Sequence, residues 1–232
     1  MYMPGAPPTL SVCEIYASIL GESTYAGWPC VILRLAGCPL RCAWCDTPYA
    51  QQRGEDVPLP EILSRVAAFG PRLVLLTGGE PLAQPGSRYL VSELLQAGNQ
   101  VVIETGGGVS IQGVDPRACV VLDIKCPGSG MQDRQVWENL DYVKPEDELK
   151  FVIGSRSDYE WAKDFLRHSG LAERQVVHFS PVTAAEQDAA RSPKVAGVAA
   201  RELAQWILED RLPVRLNIQL HVCIWGRGKR GV

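Results

Sequence analysis

Short apolar runs alternate with longer amphipathic stretches along most of the chain. "CVILRLAG" (30–37), "RLVLLTGG" (72–79), "QVVIETGGG" (100–108) and "CVVLDIKCPGSG" (119–130) each read as a buried strand running into a glycine- or proline-rich loop. "ELKFVIG" (148–154), "QVVHFSP" (175–181) and "VRLNIQLH" (214–221) read as three more strands. Between them lie helical patterns. Residues 59–70 place Ile62, Leu63, Val66 and Ala67 on one face and end at Gly70. Residues 87–98, 157–168 and 195–209 read as further helices, and 180–194 as a polar connection. Buried strands separated by amphipathic helices predict an α/β fold, a parallel sheet with crossover helices, in a single domain over 1–232.

The polar and glycine signals fall just after the strands. They are Cys38 to Thr47, Thr77 to Pro81, Glu104 to Gly108, Lys125 to Gly130, and Ser180. In parallel α/β folds, sites are built at the carboxyl edge of the sheet, so five loops are expected to converge on one mouth.

Charge and composition narrow the class. A formal net charge of -3 argues against a surface dominated by a nucleic-acid groove, and no apolar run is long enough to span a bilayer. The first residues, "MYMPGAPPTL", lack the pattern of a secretory leader. The expectation is a cytoplasmic protein with reduced thiols, so its eight cysteines are not counted as bridges. Cys13, Cys30, Cys119, Cys126 and Cys223 are scattered in apolar stretches and read as buried, inert thiols.

Cys38, Cys42 and Cys45 are different. They are three thiols in "GCPLRCAWCDT", an odd number for disulfides and one short of a closed zinc site. Three thiolates suit a [4Fe–4S] cube with one iron left open. Zinc with a distant histidine and a ferredoxin-like electron carrier are the alternatives, although a carrier would bring a fourth cysteine nearby. The C-x3-C-x2-C spacing, with Trp44 before the last cysteine and "GGEP" (78–81) after the next strand, resembles the radical S-adenosylmethionine (SAM) superfamily. That resemblance implies a partial (βα)6-type barrel. It also implies a cluster whose open iron binds the amino and carboxylate groups of SAM, and reductive cleavage of SAM to a 5′-deoxyadenosyl radical. Glu80 and loop carbonyls are candidate acceptors for the SAM ammonium group, and Lys125 a candidate partner for its carboxylate.

Further stretches resemble one family, the 7-carboxy-7-deazaguanine synthases. They are "EIYASILGES" (14–23), "RLAGCPLRCAWCDT" (34–47), "TGGEP" (77–81), "ELKFVI" (148–153), "FSPV" (179–182) and "RLNIQLHVCIW" (215–225). The resemblance implies ring contraction of 6-carboxy-5,6,7,8-tetrahydropterin with loss of ammonia, in the pathway to queuosine and other 7-deazapurines. Hydrogen is taken from C6 of the pterin and later returned, so SAM is regenerated. Mg²⁺, a flavodoxin or ferredoxin electron donor and a homodimer are also implied, with no nucleic-acid or membrane partner.

Residue by residue, the resemblance makes Cys38, Cys42 and Cys45 the cluster ligands and Thr47 the Mg²⁺ ligand. Trp44, Cys45, Asp46, Gly79, Asp123, Ile124, Lys125, Ser180, Pro181, Val182 and Thr183 face SAM. Ile19, Leu20, Gly21, Glu22, Arg34, Thr77 and His221 face the pterin, His221 from a strand end. An arginine in an apolar strand is costly without a partner, which independently marks Arg34 for a ligand or an ion pair. For Thr47 the alternative is a helix or turn cap. The chain reads "SILGES" where relatives read "SIQGEG", so Leu20 has no side-chain hydrogen bond to offer. "GRGKRGV" extends past the matching region as a basic tail. An activase for a glycyl-radical enzyme is the rival reading within the superfamily.

Overall fold

A computed structural model describes residues 8–182 and 197–232; Thr183 and most of the expected polar connection lie outside these residues. The described strands form one nine-stranded sheet: β1 (Thr9–Ile19), β2 (Pro29–Leu35), β3 (Glu55–Pro58), β4 (Leu73–Gly78), β5 (Gln100–Thr105), β6 (Cys119–Ile124), β7 (Glu148–Ile153), β8 (Val176–Pro181) and β9 (Arg215–Leu216). Their order is β3-β1-β2-β4-β5-β6-β7-β8-β9. From β2 to β9 every pairing is parallel. The helices are α1 (Leu59–Phe69), α2 (Ser87–Gln96), α3 (Arg156–Ser169), α4 (Ala200–Asp210) and α5 (Leu220–Trp225).

Strand parity gives the sheet two chemically distinct faces. Leu33, Leu76, Ile103, Leu122, Phe151 and Phe179 share one core with Ile62, Leu90, Leu166 and Leu203 of the helices. On the other face, Cys30, Ile32, Leu75, Val102 and Val121 form a smaller apolar layer closed by Leu20. Following each strand along this second face, the residues turn polar: Arg34 after Ile32, Thr77 after Leu75, Glu104 after Val102, Asp123 after Val121.

The sheet curls around that second face. A flat sheet would separate β2 from β9 by about 29 Å, six strand spacings. Yet Gln219, just after β9, donates a 3.1 Å hydrogen bond to Asp46, in the loop that follows β2. Glu22, after β1, likewise accepts a 3.1 Å bond from Asn217. The result is a partial barrel whose open seam is spanned by the segment after β9.

Several expectations change. Residues 9–19 form an eleven-residue strand that the apolar pattern did not announce, because "TLSVCEIYASI" carries polar residues on a half-open edge. It pairs antiparallel with β2 and with β3, so the first third of the sheet is not parallel. Between β5 and β6, and between β6 and β7, the chain crosses without an α-helix. The expected helix at 195–209 begins only at Ala200, because Gly197 sits at φ +72° and Val198 donates to the Val182 carbonyl. The expected strand 214–221 lasts two residues and gives way to α5, so His221 sits in a short helix. Cys13 is half-buried and Cys223 exposed, unlike the buried thiols at 30, 119 and 126.

Candidate active site

The cysteine loop leaves β2 at Gly37, whose φ of +87° favours glycine. Cys38, Cys42 and Cys45 are free and half-buried. Burial pushes the Cys38 and Cys42 thiols up from their ordinary value, while Lys125 pulls both down. A ligand that requires thiolates would therefore displace protons on binding. Among the described residues, no three cysteine, histidine or acidic side chains converge tightly enough for a single metal ion. A cluster asks for something else, three thiols spread over the corners of a cube. Three unpaired cysteines on one loop beside a lysine satisfy that donor chemistry.

Neighbouring loops pack directly on this one. Gly79 donates to the Leu35 carbonyl at 3.1 Å and Glu80 to that of Gly37 at 2.8 Å. A Cβ on Gly79 would collide with the Gly37 backbone and the Cys38 side chain. Ala43 donates to Ser129, after β6, and the Trp44 ring lies where a Cβ on Gly154, after β7, would be. The loops after β2, β4, β6 and β7 thus meet at one mouth; three of them are among the five that the polar signals marked, and the loop after β7 is not.

Glu80 departs from the expectation of a SAM acceptor. It is fully buried, and its carboxylate accepts from Leu82 N at 3.1 Å, Gly106 N at 2.9 Å and the Thr105 hydroxyl. Burial raises its pKa against these bonds. Its work is to tie the loops after β4 and β5 together. Lys125 is buried, not exposed; its ammonium lies 2.8 Å from Asp123 Oδ2. Asp123 Oδ1 is buried with no protein partner. The Ile124 side chain points to the helix side of the sheet, so only its backbone can serve a ligand. Pro181 and Val182 are half-buried at the end of β8, and the Ser180 hydroxyl takes a 3.0 Å bond from Asn217.

The deeper wall is polar and interlocked. Arg34 Nε donates to Glu14 at 2.8 Å and its guanidinium also takes part in a bond with Tyr16. Desolvation opposes its charge, but Tyr49, Tyr16 and Glu14 outweigh that and keep it protonated. The Thr77 hydroxyl lies 3.3 Å from Glu104 Oε2. Burial pushes the Glu104 carboxyl up, against the pull of Lys150 and Arg34. Lys150 bonds Glu22 at 2.9 Å, and with Glu22, Glu104 and Asp123 around it its pKa rises despite desolvation. Asp46, at the rim, is held below the usual carboxylate range. Desolvation is outweighed there by the Gln219 amide and by Lys150, Arg34 and His221. Burial lowers His221 in turn, so it is neutral near pH 7.

The segment that follows β1 is more closed than expected. Leu20 is fully buried in the lower apolar layer; its N–H donates to Trp28 and its carbonyl accepts from Gly27. Its side chain and its N–H are thereby occupied within the fold, and its carbonyl keeps one lone pair. Ile19 is half-buried at the end of β1. The Gly21 carbonyl accepts from Leu220 N at 2.9 Å, and the His221 ring fills the space where a Gly21 side chain would be. Thr47 stands at the start of a short 3-10 turn, 48–51, yet its side chain makes no capping bond. The capping alternative for Thr47 therefore fails.

Sequence reading missed Glu14, Tyr16, Tyr49, Lys150, Asn217 and Gln219, and it named Glu104 only as the start of a polar signal, without a role. The argument that singled out Arg34, a charge inside an apolar strand, applies equally to Glu104 in "QVVIET" and Lys150 in "ELKFVI". For Asn217 and Gln219 no local signal exists.

Known proteins fall in line with this geometry. Residues 32–125 match the family profile described as the radical SAM superfamily, the stretch from β2 to the lysine after β6. The class is thus a radical SAM protein. The 7-carboxy-7-deazaguanine synthase of Chlorobaculum tepidum is 41% identical over 226 residues, covering 96% of this chain and 97% of the relative. That of Koribacter versatilis is 42% identical over 228 residues, covering 96% and 100%. The chain belongs to the 7-carboxy-7-deazaguanine synthase family. Its fold is also that of QueE from Escherichia coli, with a TM-score of 0.68 at 23% identity over 92% of this chain and 95% of that one. No helix among the described residues is long and apolar enough to cross a membrane.

Proposed function

We infer that the protein converts 6-carboxy-5,6,7,8-tetrahydropterin to 7-carboxy-7-deazaguanine with release of ammonia, a step in 7-deazapurine and queuosine biosynthesis. One observation carries this reading. Three free cysteines at the rim stand over a wall of Arg34, Thr77, Glu104 and Lys150, in a chain that matches its relatives almost end to end.

Cys38, Cys42 and Cys45 hold a [4Fe–4S] cluster, and Gly79, Trp44, Asp46, Asp123, Lys125 and the end of β8 surround SAM. Bound there, the two supply one-electron cleavage of SAM and removal of a hydrogen atom from the pterin. Lys125 presents a cation for a carboxylate, and its partner Asp123 retains one carboxylate oxygen for a donor. In the deeper wall Arg34 faces the substrate carboxylate, for which a guanidinium fork is suited. Thr77 and Glu104 read the edge of the heterocycle. Lys150 keeps two adjacent carboxylates, Glu22 and Glu104, from repelling each other. The Thr47 hydroxyl, spared from capping, is an oxygen ligand of the kind Mg²⁺ accepts beside waters and a carboxylate. A flavodoxin or ferredoxin donates the electron, and the working unit is a homodimer in the cytoplasm. The activase alternative needs a groove open to a partner protein. Here the segment after β9 crosses the mouth and bonds Gly21 and Asp46.

The test is anaerobic turnover of the reconstituted protein with SAM, Mg²⁺, a reductant and the tetrahydropterin. The expected result is a deazaguanine product that disappears in Cys42→Ala and drops when Mg²⁺ is omitted or Thr47 is changed to Ala. Cleavage of SAM without any deazaguanine would overturn the substrate assignment.

A further inference from the structure

The basic tail after α5 is not simply solvated. The Arg230 guanidinium lies 4.1 Å from the centre of the Tyr49 ring, and its Nε is 3.6 Å from Glu14 Oε2. Glu14 is the carboxylate whose other oxygen accepts from Arg34 Nε at 2.8 Å and from the Tyr49 hydroxyl at 2.9 Å. Arg34, Glu14, Tyr49 and Arg230 thus form one cluster, assembled from β2, β1, the cysteine loop and the tail.

Counting charge gives the tail a role. Arg34 and Glu14 cancel as a pair, and a cancelled arginine attracts an anion weakly. Arg230 restores a net positive unit to that cluster of four. Its pull on Oε2 also engages the half of the Glu14 carboxylate that would otherwise compete for the guanidinium fork of Arg34. Stacking on Tyr49 fixes where this second cation stands.

We propose that Arg230 is a positioning residue that frees Arg34 to take a carboxylate, making the tail a determinant of selectivity for carboxylated over plain pterins. The inference rests on the pterin reading above. It concerns ligand charge, so it is separable from turnover.

The experiment is equilibrium titration of the anaerobic, cluster-loaded full chain with SAM present, using 6-carboxypterin and unsubstituted pterin as fluorescent probes. Arg230→Ala is expected to weaken 6-carboxypterin roughly fivefold, the upper range for one exposed ion pair, and to leave pterin unchanged. Arg230→Lys keeps the charge without the planar stack and should fall between. Lys229→Ala, the same charge loss one residue away, should match the wild type with both probes. Removal of residues 229–232 should reproduce Arg230→Ala. The inference is overturned if Arg230→Ala leaves 6-carboxypterin binding intact or weakens both probes alike, or if Lys229→Ala has the same effect. A wild type that binds neither probe would remove the pterin reading and this inference together, whereas the other outcomes touch Arg230 alone.

Discussion

Lys150 shows how one residue's cost is met by its neighbours. Its ammonium is nearly buried, and an unpaired charge there would be expelled or neutralised. Glu22, Glu104 and Asp123 surround it instead, and together they raise its pKa. The lysine and the acids depend on each other, so removing the cation leaves buried carboxylates facing one another. Lys150→Met should lower unfolding stability by about 3 kcal/mol in urea titrations, the scale for breaking a buried pair. Glu22→Gln should cost less, because the amide still accepts from Asn217 and Lys150 keeps Glu104. Equal losses in the two variants would mean that packing, not charge, dominates at this position.

Among elements, the revealing contact is between the turn after β1 and α5. The end of the expected strand 214–221, "QLH", runs on into "VCIW", a stretch rich in β-branched and aromatic residues. It folds as a helix because Asn217 and Gln219 are drawn inward, to Glu22, Ser180 and Asp46, which ends the pairing with β8 after two residues. Gly21 then lets the His221 ring lie against bare backbone. Gly21→Ala would push that ring away and with it the segment that spans the seam. The expected outcome is a loss of about tenfold in kcat/KM for the pterin with SAM affinity retained, the scale set by misplacing a group in a site. An unchanged kcat/KM would show that His221 and its helix do not touch the substrate side.

The whole molecule is a sheet with two faces and a plugged lower end. The turn 20–28 closes that end and is fastened by Glu148, which accepts from the Thr24 N–H and hydroxyl and meets His178 Nε2 at 2.7 Å. Desolvation raises the Glu148 pKa, but His178 and Thr24 outweigh it, leaving the group below its ordinary 4.5. A carboxylate depressed in the folded state adds stability above its unfolded pKa and loses it as pH falls through the folded one. The wild type should therefore lose stability more steeply below about pH 4.5 than Glu148→Gln does, measured by thermal melts from pH 6 to 3. Glu80 and Glu104, whose pKa values are raised, act in the opposite sense in both proteins, so the difference between the two curves reports the Glu148–His178 pair. Parallel curves would mean that the plug is held by Leu20 and its apolar layer alone.

Much of this was legible in the chain. Six buried runs became β2, β4, β5, β6, β7 and β8, because central parallel strands must be apolar on both faces and leave a local pattern. The cysteine loop and "GGEP" were legible because cluster ligation and close backbone approach each demand specific residue types at fixed spacing. Arg34 was legible as a charge where an apolar residue belongs. Strand β1 was not, since it lies between β2 and the short β3, half of its outer side open beside a polar mouth, and lacks a continuous apolar signature. Nor was the helix at 220–225, whose local preference was overridden by three inward hydrogen bonds. Tertiary structure alone decided that Glu80 serves the loops, that Leu20 seals the floor, and that Arg230 reaches Glu14 across more than two hundred residues. Such contacts depend on how the sheet curls, a property of all its strands together, which no single stretch of sequence encodes.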